Sequence, residues 1–364
     1  MVLKESVYSI SNHYIKLNHY TKFNGMKRIS FFTLVILFAA TTIVACSKKT
    51  TVVTTPPPPP TGGTTNLITL PSGWRLSTTL GTAFPTSIQV YTFDSVHNGK
   101  TVKAVCLAYD SKNANFEFKP VQSATAKTPT SFYNDETGIV YGCINGGYFG
   151  SNQSFSLVKY NNVVSSPNIK AVTRVFNGTN TSYYPTRAAF GISNTGSPTI
   201  GWIYNVGSGN DLIYSYPAPS PNVDGQAPQA QPTASFPTGG SIWNTVSAIG
   251  GSPMLVKDNT INISDAAELI SINNTTSRPR SAIGYTANGI VLVLAVEGDN
   301  PPTYTGINLA DLASFIKNLG ATNAINLDGG GSTSLVIGGV KAVRPGDVGG
   351  VERPVVSAVL IKRK

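Results

Sequence analysis

The chain has 364 residues, 41% hydrophobic and 12% charged, a balance that builds a packed core and rules out a mainly disordered body. Its net charge is +10, but the first 45 residues carry five Lys/Arg and one acidic residue, which leaves +6 on the remainder. The basic residues beyond residue 45 are scattered, with no run beyond Lys362-Arg363-Lys364, so no nucleic-acid-binding stripe is visible.

Met26-Lys27-Arg28 precedes a short apolar stretch, Ile29 to Ala40, and then Thr41-Thr42-Ile43-Val44-Ala45-Cys46. A basic segment, an apolar segment and small residues before a cysteine have the form of an export signal, too short for a membrane span. The pattern predicts cleavage before Cys46 and lipidation of that cysteine, hence a protein anchored in a bacterial cell envelope, with the outer membrane as the expected address. Residues 1–25 precede a complete signal and read as a misassigned start. Residues 46–65 then form a tether, with five consecutive prolines favouring an extended spacer. Residues 66–364 are the folded body.

Ile88, Val90 and Tyr91 alternate in strand fashion before Asn98-Gly99, as do Val102, Ala104 and Leu107 after it. This predicts a hairpin with His97 as a solvated turn residue. His13 and His19 lie in the leader, so a Ser-His-Asp triad or a multi-His metal centre is not expected, and acid–base chemistry falls to carboxylates. Cys106 and Cys143 admit two readings, a disulfide contributing roughly 4 kcal/mol by loop closure or two buried thiols. A short strand is expected at Phe116-Glu117-Phe118 and one or two helical turns at 130–136. An apolar strand then ends in Asn145-Gly146-Gly147. Residues 155–215 read as short strands and turns, and 216–241, rich in Pro, Gln and Ala, as a long loop.

Toward the C terminus the patterns sharpen. Ile290 to Val296 is a continuous apolar run, as in a strand covered on both faces. Leu309, Leu312, Ala313, Ile316 and Leu319 recur at helical spacing, with Asn308 as N-cap and Gly320 as the residue after the end. Ala324 to Leu327 reads as another strand. The expected fold is α+β: a mixed β-sheet with packed helices, a C-terminal β–α–β unit with parallel strands, and a small β-rich N-terminal subdomain. In that topology Glu297 and Asp328 end the two strands at one sheet edge, where open sheets bind ligands. Gly329-Gly330-Gly331 would let backbone approach a ligand and offer N–H groups to an anion.

Four blocks in order resemble the phosphodiester glycosidase family: Ile144-Asn145-Gly146-Gly147-Tyr148-Phe149, Gly250 to Val256, Arg278-Pro279-Arg280-Ser281-Ala282-Ile283-Gly284, and Asn326-Leu327-Asp328-Gly329-Gly330-Gly331-Ser332-Thr333. Thr186 to Gly191 and Glu352-Arg353-Pro354 add weaker matches, so the likeness covers residues 90–364. The family includes an enzyme that removes N-acetylglucosamine from a phosphodiester. The resemblance implies a hydrolase of sugar–phosphate diesters or related glycosidic bonds. Its catalytic carboxylates would be Asp328, Glu297 and Glu352, with Asp299 in reserve. Asn145, Gly146, Arg187, Arg280, Gly329, Gly330, Gly331, Ser332, Thr333 and Arg353 would bind substrate. Asp328, facing the glycine-loop N–H groups, is expected to be the ionised nucleophile or base, with Glu297 or Glu352 as the acid. Two departures stand out: Glu297-Gly298-Asp299 replaces the family's Asp-Gly-Arg, and Ser281 stands where Thr is commonest. The loss of a basic residue at Asp299 favours the alternative of a non-catalytic glycan-binding lipoprotein. A structural lipoprotein with a less charged pocket is the other alternative. No cofactor and no metal site are expected, and a Ca²⁺ or Mg²⁺ held by carboxylates near Asp328 is the one metal reading left open. The expected partners are a carbohydrate or sugar-phosphate substrate and the membrane beneath the anchor, without nucleic acid.

Overall fold

The computed structural model describes residues 65–364, so the export signal, Cys46 and all but the end of the tether lie outside the described residues. The described body contains 24 strands but only two α-helices, α1 (Pro129–Asp135) and α2 (Leu309–Asn318). The expected α+β class is therefore overturned, and the fold is β-rich. The physical reason lies in what covers the sheets. Helical spacing is confined to one stretch, and elsewhere one sheet buries another.

An eight-stranded sheet runs in the order Trp74–Leu76, Ile88–His97, Lys100–Asp110, Ile290–Val296, Arg280–Thr286, Ala321–Asn326, Met254–Lys257, Thr260–Ile261. A seven-stranded sheet is centred on Arg187–Ile192, and a five-stranded sheet on Val140–Asn145. Leu107, Ile283 and Val293 of the first sheet share one core with Phe190 and Trp202 of the second and with Ile144, Leu335 and Val359 of the third. The opposite face of the eight-stranded sheet, including Leu292 and Leu294, buries Leu312 and Ile316 of α2. Both faces of Ile290–Val296 are thus covered, which is why that strand is apolar at every position.

The hairpin forms at the predicted place, with His97 opposite Lys100 and Asn98-Gly99 as a two-residue turn at positive φ. His97 is not a solvated turn residue, because its ring packs edge-on against Phe315 of α2 at 5.0 Å. Nor do the early strands make a separate subdomain, because Lys100–Asp110 pairs along its length with Ile290–Val296. The helix caps are as read: the Asn308 side chain accepts from Asp311 N at 2.7 Å, and Gly320 has φ +97°. Cys106 and Cys143 are both free and buried, one in the cluster beneath α2 and the other in the cluster beside α1. The two-thiol reading holds, and burial pushes both thiols up.

The C-terminal strands need one correction. Ile290–Val296 and Ala321–Asn326 are both antiparallel to Arg280–Thr286, which lies between them. They are parallel to each other, as expected, but not neighbours.

Candidate active site

Three strand ends meet at one edge of the eight-stranded sheet. Arg280 begins the middle strand opposite Val296, and Leu327 N donates to Ser281 O at 2.9 Å. Glu297 and Asp328 therefore share the predicted edge but stand two strand spacings apart, about 10 Å.

The motif blocks converge on Asp328 through backbone bonds. Asp328 N donates to Gly146 O at 3.2 Å, Gly146 N donates to Ser357 O at 2.8 Å, and Ser252 N donates to Asn326 O at 2.9 Å. Such close packing needs glycine. A Cβ on Gly251 would lie 2.2 Å from Asn326 O. Asn145, expected to touch a sugar, is fully buried and occupied. Its Nδ2 donates to Asp328 O at 2.8 Å, and its Oδ1 accepts from Ser281 Oγ at 2.7 Å. It fixes the Asp328 loop, and the hydroxyl of Ser281 serves that bond.

The glycine loop closes on itself. The N–H groups of Gly330, Ser332 and Thr333 donate to Pro279, Gly329 and Gly330 carbonyls, and Gly329 N donates to Asp328 Oδ1 at 2.9 Å. A Cβ on Gly331 would meet Asp347 and Arg353, whose side chains form a two-pronged ion pair, Nε–Oδ2 2.9 Å and Nη2–Oδ1 2.5 Å. Ser332 and Thr333 are buried; the Thr333 hydroxyl has no partner among the described residues, and that of Ser332 lies close enough to act on Asp328 without forming a well-aligned hydrogen bond. Asp328 is half-buried. Burial raises its carboxyl to about 6, although the Ser332 hydroxyl, the Gly329 N–H and the Arg353 guanidinium pull the other way. The glycine-loop effect foreseen from sequence is real but outweighed.

Arg187 and Arg280 are buried, and neither makes an ion pair among the described residues. Arg187 donates to the carbonyls of Glu268 at 3.1 Å and Leu269 at 3.2 Å. Arg280 donates to those of Ile307 at 3.1 Å, Asn273 at 2.6 Å and Thr276 at 3.0 Å. In each guanidinium Nη1 makes no such bond, and burial lowers the pKa of both. The Tyr148 hydroxyl donates to Ser252 O at 2.8 Å and accepts from Asn326 Nδ2 at 2.8 Å. Burial raises the Tyr148 pKa, Asp328 adds to that rise, and Arg280 and Arg187 oppose it. One phenol thus senses Asp328 and both arginines.

The other two candidate carboxylates are committed elsewhere. Glu297 is 2% exposed and paired with Lys103 at 3.1 Å, and it accepts from Arg344 N at 3.1 Å. Glu352 accepts from Thr130 N in the first turn of α1 at 3.2 Å and from Ser334 Oγ at 2.5 Å, which suits a helix N-terminus. Asp299 faces Arg278 at 3.9 Å. Among the described residues no three His, Cys, Asp or Glu side chains are grouped to hold a metal ion.

A family model described as phosphodiester glycosidase matches residues 138–362, a span that holds Asn145, Tyr148, both arginines, Asp328 and Arg353. The chain belongs to the phosphodiester glycosidase family. Over 112 residues it is 35% identical to bovine N-acetylglucosamine-1-phosphodiester alpha-N-acetylglucosaminidase, a stretch covering 28% of this chain and 21% of that one. The match thus spans about a fifth of that relative's length. A prophage-derived uncharacterized protein of Bacillus subtilis is 32% identical over 107 residues, 29% of this chain and 16% of that one. The catalytic domain of the zebrafish N-acetylglucosamine-1-phosphodiester alpha-N-acetylglucosaminidase superposes with a TM-score of 0.53 at 16% identity, covering 80% of this chain and 89% of that one. That likeness speaks for the fold.

Phosphodiester glycosidase motifs led to Asp328 and the arginines, but two residues escaped the sequence reading. Tyr148 lay inside a quoted block without a role. Glu268 had no motif at all. It is fully buried and accepts from Ala188 N, Trp202 Nε1, Ser252 Oγ, Met254 N and Ser264 Oγ at 2.5–2.9 Å. It pins the loop whose carbonyls grip both arginines. Its only trace in the sequence is a carboxylate among Ala266, Ala267, Leu269 and Ile270.

Proposed function

We propose that this protein hydrolyses a sugar–phosphate diester, with Asp328 as the general acid and Arg187 and Arg280 holding phosphate oxygens. The observation that carries this is the pair of buried guanidiniums, without ion-pair partners among the described residues, with Arg280 packed against the Gly329 turn that follows Asp328, whose half-buried carboxyl is raised to about 6 by burial. A buried charge with no carboxylate at ion-pair distance is costly; Glu268 and Asp299 act on Arg187 and Arg280 only from farther off, and an anionic substrate would supply a direct counter-ion. Arg is suited to grip phosphate in two-pronged fashion.

The proton chemistry fits the leaving group. When the bond from sugar C1 to the phosphate oxygen breaks, Asp328 gives its proton to the departing phosphate monoester, water supplies the new hydroxyl at C1, and the proton that water sheds restores Asp328. The second ionisation of the monoester lies near 6, close to Asp328, so a proton passes between them with little driving force either way. The role differs from the ionised nucleophile suggested by the glycine loop, because burial dominates at Asp328 and because Glu297 and Glu352 are already bonded.

The test is turnover of a panel of aryl and UDP-linked α-N-acetylglucosaminyl phosphodiesters. Release of phosphate monoester, with kcat/KM declining above about pH 6, is the expected result. If the protein binds these compounds and cleaves none, the glycan-binding alternative replaces this reading. The envelope location is proposed on Lys27-Arg28, the apolar segment and Ala45-Cys46. Mass spectrometry of the mature N-terminus checks it, and an unmodified Cys46 would refute it.

A further inference from the structure

Away from Asp328, the seven-stranded sheet carries a cavity of about 550 Å³. Lys159, on the strand Val158–Tyr160, lines it and is 8% exposed. Its ammonium donates to Thr245 O at 2.5 Å and has no carboxylate within ion-pair distance among the described residues. An ammonium has three donors, so two remain. Thr245, also in the lining, is 2% exposed, and its hydroxyl has no partner among the described residues. Buried polar groups are normally satisfied, and the unpartnered Thr245 hydroxyl beside the two spare donors of Lys159 leaves hydrogen-bonding capacity for a ligand at this cavity.

The rim gives the chemistry of the ligand. Asn162, Asn194 and Asn244 are exposed around the opening, and their side chains bond to nothing else among the described residues. Each amide offers both donors and acceptors, the arrangement that matches adjacent hydroxyl groups. Asp211, exposed on the same rim, sets a negative charge near Lys159. The cavity is therefore polar but nearly neutral, unlike the cationic corner at Asp328. We infer that this cavity is a second binding site, for an uncharged, hydroxyl-rich sugar unit of a glycan, with Lys159 and the three asparagines as its hydrogen-bonding groups. The site stands apart from the catalytic proposal and does not depend on it.

The experiment is calorimetric or NMR titration of the intact protein with maltotriose, cellotriose and chitotriose, and with trigalacturonate as the anionic comparison. At least one neutral trisaccharide should bind saturably in the millimolar range. The double variant Asn194→Ala/Asn244→Ala, at two exposed positions outside the strands, should weaken that binding about tenfold or more. Lys159→Met should weaken it as well, and Asp328→Asn should leave it intact. The inference is overturned if none of the three neutral sugars binds, if trigalacturonate binds more tightly than all of them, if binding survives the double variant, or if Asp328→Asn abolishes it.

Discussion

Asp328 and Glu297 occupy matching positions at the ends of parallel strands on one sheet edge, yet their surroundings differ in kind. Glu297 has a lysine at 3.1 Å and a backbone N–H at 3.1 Å, so its charge is met inside the protein. Asp328 has one N–H at 2.9 Å and no ion pair among the described residues. The cation that acts on it, Arg353, is committed to Asp347, and the buried Arg187 and Arg280 are committed to carbonyls. The difference teaches that a strand-end carboxylate is not by itself a catalytic group. What distinguishes Asp328 is that its neighbours leave it undercompensated.

The sharpest way to break this comparison is to remove each charge in turn. Asp328→Asn keeps the size and can still accept from Gly329 N. On our proposal turnover of the phosphodiester panel falls by at least about a hundredfold. Glu297→Gln should keep kcat within about tenfold. Equal losses in the two variants, measured on folded protein, would erase the distinction. Arg280→Lys comes next. Lysine retains the charge but cannot hold three carbonyls while presenting a fork, so KM should rise about ten- to a hundredfold with a smaller change in kcat. A change confined to kcat would place Arg280 at the reacting bond instead of at the phosphate.

The third contrast is in stability. Glu297→Gln leaves Lys103 without its partner at a position where the carboxylate is 2% exposed. Lys103 is itself 37% exposed, which softens the cost, so we expect a loss of about 2–3 kcal/mol in urea unfolding, somewhat below that of breaking a fully buried pair. Lys103→Met on the same background should recover part of it.

Legibility followed periodicity and punctuation. The hairpin at Asn98-Gly99, the caps of α2 and the apolar strand Ile290–Val296 obey local rules, so they could be read from short windows. The class of fold could not, since whether a sheet is backed by helices or by another sheet depends on contacts such as Phe118 with Phe190, whose partners are distant in sequence. The intervening strand Arg280–Thr286 precedes both strands it separates, and nothing in a β–α–β pattern reveals it. At the site, motif spacing marked Asp328, Arg187 and Arg280. It did not tell carboxylates with internal partners from one without, because Lys103 and Thr130 lie far from Glu297 and Glu352 in the chain. Glu268 was invisible for a related reason: its role is to receive hydrogen bonds from five separate places, and no local pattern encodes that.

The smallest expected effect is also the one that tests the electrostatics of Asp328 without any substrate. Its carboxyl is raised from 3.8 to about 6 in the folded protein, with burial as the main cause. Between these values the folded state binds more protons than the unfolded chain, so stability must fall as pH rises through this window. Below about pH 4 both states are protonated and the penalty vanishes; above about pH 6 it is fully present. The full shift corresponds to about 3 kcal/mol, and because the group is only half-buried we expect about 1–2 kcal/mol to be realised. Asp328→Asn removes the titration. The variant should therefore be more stable than the parent at pH 8 by about that amount, and the two should converge by pH 4. Glu297→Gln should show no such gain at pH 8. Denaturant melts at pH 4, 6 and 8 decide it: if Asp328→Asn is destabilising at pH 8, the carboxylate is paid back by its surroundings as fully as Glu297 is, and the case for an undercompensated acid at this edge fails.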